Sequence, residues 1–386
     1  MISNKKAIVG ALVIALVSSL LTLSVGALFG KIAIVPMNEY KQYKEFEKMY
    51  SLKSSIEQEY YKNPSESALV EGAIKGMFEG LNDPYSTYMT KKEFDALLEY
   101  TKGSFGGIGV YVSAEDDGFI TIVSPIEDTP GARAGLKAGD KILKVDGETV
   151  SSKDIDKAVS KMKGEPGTKV TITIAREGQQ DPFDVHITRE EIRIQTVKSE
   201  VKEDGIGYIR ITTFDEKTAA DFKTNLNALK SKGIKALVID LRDNPGGLLD
   251  QCQEIADELL GKGTIVYTRD RSGNEEYLKS DEESKLGLPI AVLVNGGSAS
   301  ASEILSGAIK DNKAGILVGT KTYGKGLVQQ VFPLEDGSGY KLTVSQYFTP
   351  SGAYINKKGI QPDIEEKDET RQLDRALEYL KGKIKQ

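Results

Sequence analysis

At 386 residues, with 39% apolar and 28% charged side chains and a net charge of −6, the chain has material for two or three domains with real cores, and nothing in it offers a basic face to nucleic acid. Its single cysteine, Cys252, excludes an intrachain disulfide. One cysteine and one histidine also leave no clustered metal-ligand motif, so neither a metal nor another cofactor is expected.

Residues 7 to 30 carry no charge. Twenty-four residues at about 1.5 Å each reach about 36 Å, enough to cross a hydrocarbon layer of about 30 Å with tilt. Lys5 and Lys6 precede the run and keep the N-terminus cytoplasmic. The run is longer than a cleaved signal core, and Ala27-Leu28-Phe29 lacks the small third residue of a cleavage site. Residues 1–36 are therefore expected to be a cytoplasmic stub and an uncleaved transmembrane signal anchor, in preference to a cleaved signal peptide. The rest of the chain would lie on the extracytoplasmic side of the cell membrane.

Residues 37–101 read as a helical region. The charged stretch Tyr40–Lys62 suits a solvated or dimer-forming helix. Glu66–Leu81 spaces Val70, Ile74, Met77, Phe78 and Leu81 at helical intervals, and Asn82-Asp83-Pro84 stops it. Nothing here suggests chemistry.

Glycine content jumps near Gly103. Gly106-Gly107-Ile108-Gly109-Val110-Tyr111-Val112 is a glycine turn running into a strand; since no helix follows, it is not a dinucleotide fingerprint. Asp154–Lys163 is helical, with a stripe of Ile155, Ala158, Val159 and Met162 that either walls a groove or faces its own core. Strands Val170–Ala175 and Phe183–Thr188 follow. The alternation around His186 reads as a satisfied surface or core histidine.

From Glu191, strands at Gly207–Thr212, Ala236–Leu241, Ile265–Tyr267, Ile290–Val294, Ile316–Val318, Leu327–Phe332 and Lys341–Phe348 alternate with helices near Thr218–Lys232, Leu248–Leu260 and Ser302–Asp311, an α/β arrangement. Cys252 falls with Ile255, Ala256 and Leu259 on an apolar helix face, as a small buried hydrophobe. A last helix aligns Leu373, Ala376, Leu377 and Leu380, and packs on the core or on a second subunit, so a homodimer is among the expected partners.

The stretch from Ile290 to Leu305 organises the rest. Its apolar run reads as a buried strand, Gly296-Gly297 as a tight turn, and Ile304, Leu305, Ala308 and Ile309 as a helix stripe, with Ser298, Ser300 and Ser302 between. A serine at a helix start is either an N-cap or, beside free N–H groups, a nucleophile. A nucleophile needs a base, and no signature surrounds His186. Lys325, between Gly324 and Gly326, is either solvated or, if apolar surroundings lower its pKa, a neutral amine available to a serine.

Ser298-Ala299-Ser300-Ala301-Ser302-Glu303-Ile304, followed by Thr322-Tyr323-Gly324-Lys325-Gly326-Leu327-Val328-Gln329, strongly resembles the carboxyl-terminal processing peptidases, or tail-specific proteases. The resemblance implies that Ser300 is the nucleophile, Lys325 the general base and Gln329 the group that orients it. Lys325, Leu327 and Gln329 would share one face of a strand by period two. A third family motif stands at Asp240-Leu241-Arg242-Asp243-Asn244-Pro245-Gly246-Gly247, where Gly246 or Gly247 would give one oxyanion N–H and Ala301 the other. Ser298 and Ser302 stay structural, and Ser302 and Glu303 receive no catalytic role. Asp83–Tyr88 also looks like the family, in the section that precedes its PDZ module.

The glycine turn, with Ser124-Pro125 and Pro130–Gly147, resembles a PDZ domain. A peptide would pair with the strand after Gly109 while Gly107, Ile108, Gly109 and Val110 meet its terminal carboxylate, with apolar end residues preferred. Relatives imply a core similar to the crotonase and Clp-protease folds. The expected architecture is thus an α/β multidomain chain: anchor (1–36), helical region (37–101), PDZ domain (102–190), α/β serine peptidase core (191–365) and C-terminal helix (366–386). Its expected function is that of a membrane-anchored serine endopeptidase acting on proteins with unstructured C-terminal tails. The rival readings are a catalytically silent tail-binding adaptor, disfavoured by the intact serine, lysine and glutamine, and a non-proteolytic acyl-group enzyme, which leaves the PDZ module and export segment without a purpose.

Overall fold

The computed structural model describes residues 4–28, 37–281 and 285–385. The chain forms two compact units, Met1–Met77 and Phe78–Gln386. The first contains helix Asn4–Leu28, helix Met37–Glu59 and most of helix Glu66–Glu79. Helix Asn4–Leu28 stands where the span is expected and exposes Ile8, Leu12, Ile14, Leu16 and Leu21. No helix among the described residues is long and apolar enough to cross a membrane, so the span is not shown. The region from 37 to 101 is not purely helical either: strand Thr87–Met89 precedes helix Lys91–Lys102, which a Thr90–Glu93 capping box opens.

The second unit is built around a six-stranded sheet ordered Val197–Lys202, Ile206–Ile211, Ala236–Asp240, Ile290–Val294, Gly315–Gly319 and Ile364–Glu365. The first pair is antiparallel and every later pair parallel. Ala236–Asp240 and Ile290–Val294 are buried throughout, which is why both read as unbroken apolar runs. Helices Thr218–Ser231, Leu249–Leu259 and Ala301–Asp311 cover one face through Phe222, Leu226, Cys252, Ile255 and Leu305. Helix Glu369–Ile384 covers the other: Ala376 and Leu380 pack against Val238, Leu293 and Val318. That settles the choice for its apolar stripe, which lies on the chain's own sheet.

A second sheet joins Thr87–Met89, Gly339–Phe348, Gly263–Asp270 and Glu275–Ser280, with Leu327–Pro333 also paired to Gly339–Phe348. A further six-stranded sheet contains Val110–Ala114, Ile120–Pro125, Lys141–Val145, Lys169–Ala175 and Phe183–Thr188, closed around Ile120, Ile142, Ile172 and Ile174. Helix Ile155–Met162 packs there, with Ala158 and Met162 fully inside and Ile155 and Val159 against them, so its stripe faces that module's core. Gly106 and Gly107 do not form the expected turn. They end strand Ser104–Gly107, paired antiparallel with Glu190–Arg193, and the turn begins at Ile108.

Candidate active site

The carboxyl ends of parallel strands open onto a crevice, the usual place for a ligand in such sheets. Strand Ile290–Val294 ends there and turns into helix Ala301–Asp311. The turn is bolted to the Asp240–Gly247 segment from both sides. Ser298 Oγ donates to the Leu241 carbonyl (2.8 Å) and accepts from Asn295 N–H (3.0 Å). Ser302 Oγ and Ala299 N–H both donate to the Asn244 carbonyl (2.9 and 3.0 Å). The outer two serines are thereby committed to structure.

Between them, Ser300 sits at φ 53°, ψ −117°, a conformation that costs a residue with a side chain about 1–3 kcal/mol. Its backbone serves the helix: Glu303 and Ile304 N–H groups donate to the Ser300 carbonyl (2.8 and 3.0 Å), and its own N–H donates to Glu303 Oε2 (3.1 Å). Ser300 and Glu303 stand in capping-box arrangement at the helix start, and Ser300 also lines the crevice.

The loop between strands Gly315–Gly319 and Leu327–Pro333 carries Lys325. Glu303 joins this loop to the serine turn. It is fully buried, and its carboxylate accepts from Thr322 Oγ1 (2.6 Å), Gly324 N–H (2.8 Å), Lys325 N–H (2.8 Å) and Ser300 N–H. Tyr347, also buried, donates its phenol toward the carbonyls of Lys325 and Ser300. The two candidate residues are thus fixed through their backbones by shared partners.

Lys325 makes no ion pair among the described residues. Burial lowers its pKa from the ordinary value, and the nearby Lys341 ammonium lowers it further, against the opposing pull of Asp83 and Glu303. Its Nζ lies 4.9 Å from the centre of the Tyr85 ring. Burial and the neighbouring Tyr323 push the Tyr85 phenol up. Ser300 and Lys325 line one cleft of about 330 Å³, along with Gly246, Gly247, Gln329 and Lys341. Among the described residues no hydrogen bond joins Ser300 Oγ to Lys325 Nζ.

Gln329 lines the cleft, but its amide donates to the Leu327 carbonyl (3.2 Å) and Thr343 Oγ1 (3.3 Å) and not toward the lysine. Lys325, Leu327 and Gln329 all line the cleft, although the register with Gly339–Phe348 shifts between Val328 and Gln329 and Lys325 precedes the strand. The glycines also separate. Gly246 N–H is spent on Asn244 Oδ1 (2.9 Å), whereas Gly247 and Ala301 N–H have no acceptor among the described residues.

In the PDZ-like sheet, Val110–Ala114 is an edge strand paired only with Ile120–Pro125. The Ile108 side chain is buried in that module's core and faces no groove, but the N–H groups of Ile108 and Gly109 have no acceptor among the described residues. Gly107 belongs to the ladder with Glu190, one step further back. Gly109 must be glycine: φ is +73°, and a Cβ would meet Thr129 at 2.4 Å. His186 stands elsewhere, against the Thr171 hydroxyl at an exposed position.

Glu303, Tyr85 and Tyr347 are the residues around Ser300 and Lys325 that sequence reasoning missed. For Glu303 a signal existed, since Ser300-x-x-Glu303 has capping-box spacing. Tyr85 sits in Asp83–Tyr88, a stretch that resembles the family but whose residues suggest no chemistry of their own.

Comparison with known proteins fits this architecture. Residues 205–366 match the model of Peptidase family S41, residues 121–176 that of a PDZ domain, and residues 31–93 that of the Activating protease CtpB N-terminal domain. The carboxy-terminal-processing protease of Bartonella bacilliformis is 42% identical over 341 residues, covering 86% of this chain and 77% of that one. The carboxy-terminal processing protease CtpB of Bacillus subtilis is 43% identical over 324 residues, 83% of this chain and 67% of that one. Among solved structures, a photosystem II D1 C-terminal processing protease superposes with a TM-score of 0.51 at 30% identity, covering 86% of this chain and 90% of that chain. The chain belongs to the carboxy-terminal processing proteases of peptidase family S41, serine-type peptidases, and carries a PDZ domain.

Proposed function

We propose that this peptidase captures the C-terminal tail of protein substrates through its PDZ domain and cleaves them with a Ser300–Lys325 dyad. Ser300 Oγ attacks the peptide carbonyl while neutral Lys325 takes its proton. The oxyanion is met by the N–H groups of Ala301 and Gly247, Gly246 being engaged by Asn244. The lysine returns the proton to the departing amine, and water hydrolyses the acyl-enzyme. Gln329 orients Lys325 once its amide turns from Thr343. The observation that carries this reading is the shared cleft: a serine held in strained backbone at a helix start, lining the same crevice as a lysine whose pKa burial lowers.

Tail capture is supported by the free edge of Val110–Ala114 beside the unspent N–H groups of Ile108 and Gly109. Residues 7 to 30 anchor the enzyme in the cell membrane with the catalytic part outside the cytoplasm. The support is their lack of charge and the exposed apolar residues on all sides of helix Asn4–Leu28.

The test is cleavage of a flexible protein with an apolar C-terminus by the purified enzyme. Wild type should cleave, and Ser300→Ala and Lys325→Ala should each lose at least about 1000-fold in kcat/KM. Amidating the substrate's terminal carboxylate should raise KM. Full activity of Lys325→Ala refutes the base assignment; cleavage by no form points to a silent adaptor.

A further inference from the structure

Lys325 is covered by a residue from far outside the strand–helix core. Tyr85 belongs to Asp83-Pro84-Tyr85-Ser86, in the part of the chain matched by the N-terminal-domain model and not by the peptidase model. The segment is clamped in place. Asp83 accepts from Ser86 Oγ (2.5 Å) and Tyr85 N–H (3.1 Å), and Ser86 Oγ accepts from Thr343 N–H (2.9 Å). Strand Thr87–Met89 then pairs with Gly339–Phe348, setting Thr87 opposite Lys341. This clamp delivers the Tyr85 ring to the lysine amine, with its centre 4.9 Å from Nζ.

We propose that Tyr85 is a positioning residue for Lys325: its ring blankets the amine, fixes the aliphatic stem and keeps water from the nitrogen that takes up the serine proton. The inference rests on the Ser300–Lys325 reading. A ring over an amine acts in two opposed ways. Its quadrupole favours the ammonium form, and its bulk removes the water that form needs. The other charged groups around the amine are Lys341 on Gly339–Phe348, Asp83 in the clamp and Glu303 on the serine helix, with the Tyr323 hydroxyl beside the Tyr85 phenol. Glu303 already accepts from four donors and Asp83 from two in its own clamp. Neither forms an ion pair with Lys325, so exclusion of water decides the outcome, and Tyr85 provides that exclusion.

The two effects of the ring separate in two variants of the full-length enzyme, read by the acid limb of the pH profile of kcat/KM. Tyr85→Ala admits water and should move the limb up by about one pH unit, an about tenfold loss near neutrality recovered at alkaline pH. Tyr85→Leu keeps the cover but removes the quadrupole, and should move the limb down by about half a unit. Should Tyr85→Ala not fold, Tyr85→Leu decides alone. A limb unmoved in Tyr85→Ala, whatever the loss of rate, or not lowered in Tyr85→Leu, overturns the proposal. Lys325→Ala in the same assay separates the two readings. If it is active, the dyad falls; if it is inactive while the Tyr85 variants leave the limb in place, only this inference falls.

Discussion

At the scale of single residues, the site depends on a carboxylate that never touches the cleft floor. Glu303 gathers Ser300 N–H, Gly324 N–H, Lys325 N–H and the Thr322 hydroxyl around one buried group, coupling two loops that are otherwise independent in sequence. Removing it leaves those buried donors without an acceptor. Glu303→Ala should therefore cost roughly 3–5 kcal/mol of stability, seen as a lower denaturation midpoint, and should reduce kcat even where the protein stays folded. Glu303→Gln keeps one acceptor oxygen and should fall between. A wild-type midpoint for Glu303→Ala would show that the loops are held by something else. The placing of Ser300 and Lys325 at one cleft and the structural duties of Ser298 and Ser302 were legible in the sequence, because the motif is compact. The role of Glu303 was hidden because its partners at 322–325 meet it only in the folded chain, and Tyr85 was hidden because its position depends on a strand pairing with residues 339–341.

At the scale of elements, the strand–turn–helix unit from Ile290 to Asp311 works because a second turn lies flat against it. A Cβ on Gly246 would stand 2.8 Å from Ser300 Cβ and the Ala299 carbonyl oxygen and 2.9 Å from Ala301 N, and the backbone there has φ +100°. Gly246→Ala should displace the serine turn by several tenths of an ångström and lower kcat at least about 100-fold, since reaction geometry tolerates little misplacement. Its denaturation midpoint should fall far less than that of Glu303→Ala; an unimpaired kcat would contradict the close fit. Central strands and helices of the α/β core were legible from their apolar runs and stripes. Strands Val197–Lys202 and Glu275–Ser280 were not, since both are polar and largely exposed edges whose pairing comes from neighbours and not from their own pattern. The bulge at Val328/Gln329 was equally invisible.

At the scale of the whole molecule, the proposed pair Ser300 and Lys325 is assembled within the unit Phe78–Gln386 from distant stretches: the serine turn, the lysine loop, the glycine turn at 246–247 and the clamp at 83–86. On the proposed mechanism this assembly serves one proton transfer, from the Ser300 hydroxyl to an amine whose pKa burial lowers. The sign is definite. A lysine whose pKa lies below the ordinary value of 10.5 is neutral above that pKa, so the activation of Ser300 should rise with pH through it and vanish below it. The most direct measurement is the rate at which a serine-directed phosphonylating reagent labels Ser300 in the full-length protein, followed against pH in wild type and Lys325→Ala. The account predicts a rise centred below pH 10.5 in wild type and a rate at least about 100-fold lower in Lys325→Ala. Equal labelling of the two proteins, or a wild-type rise at the value of a solvated lysine, would contradict it.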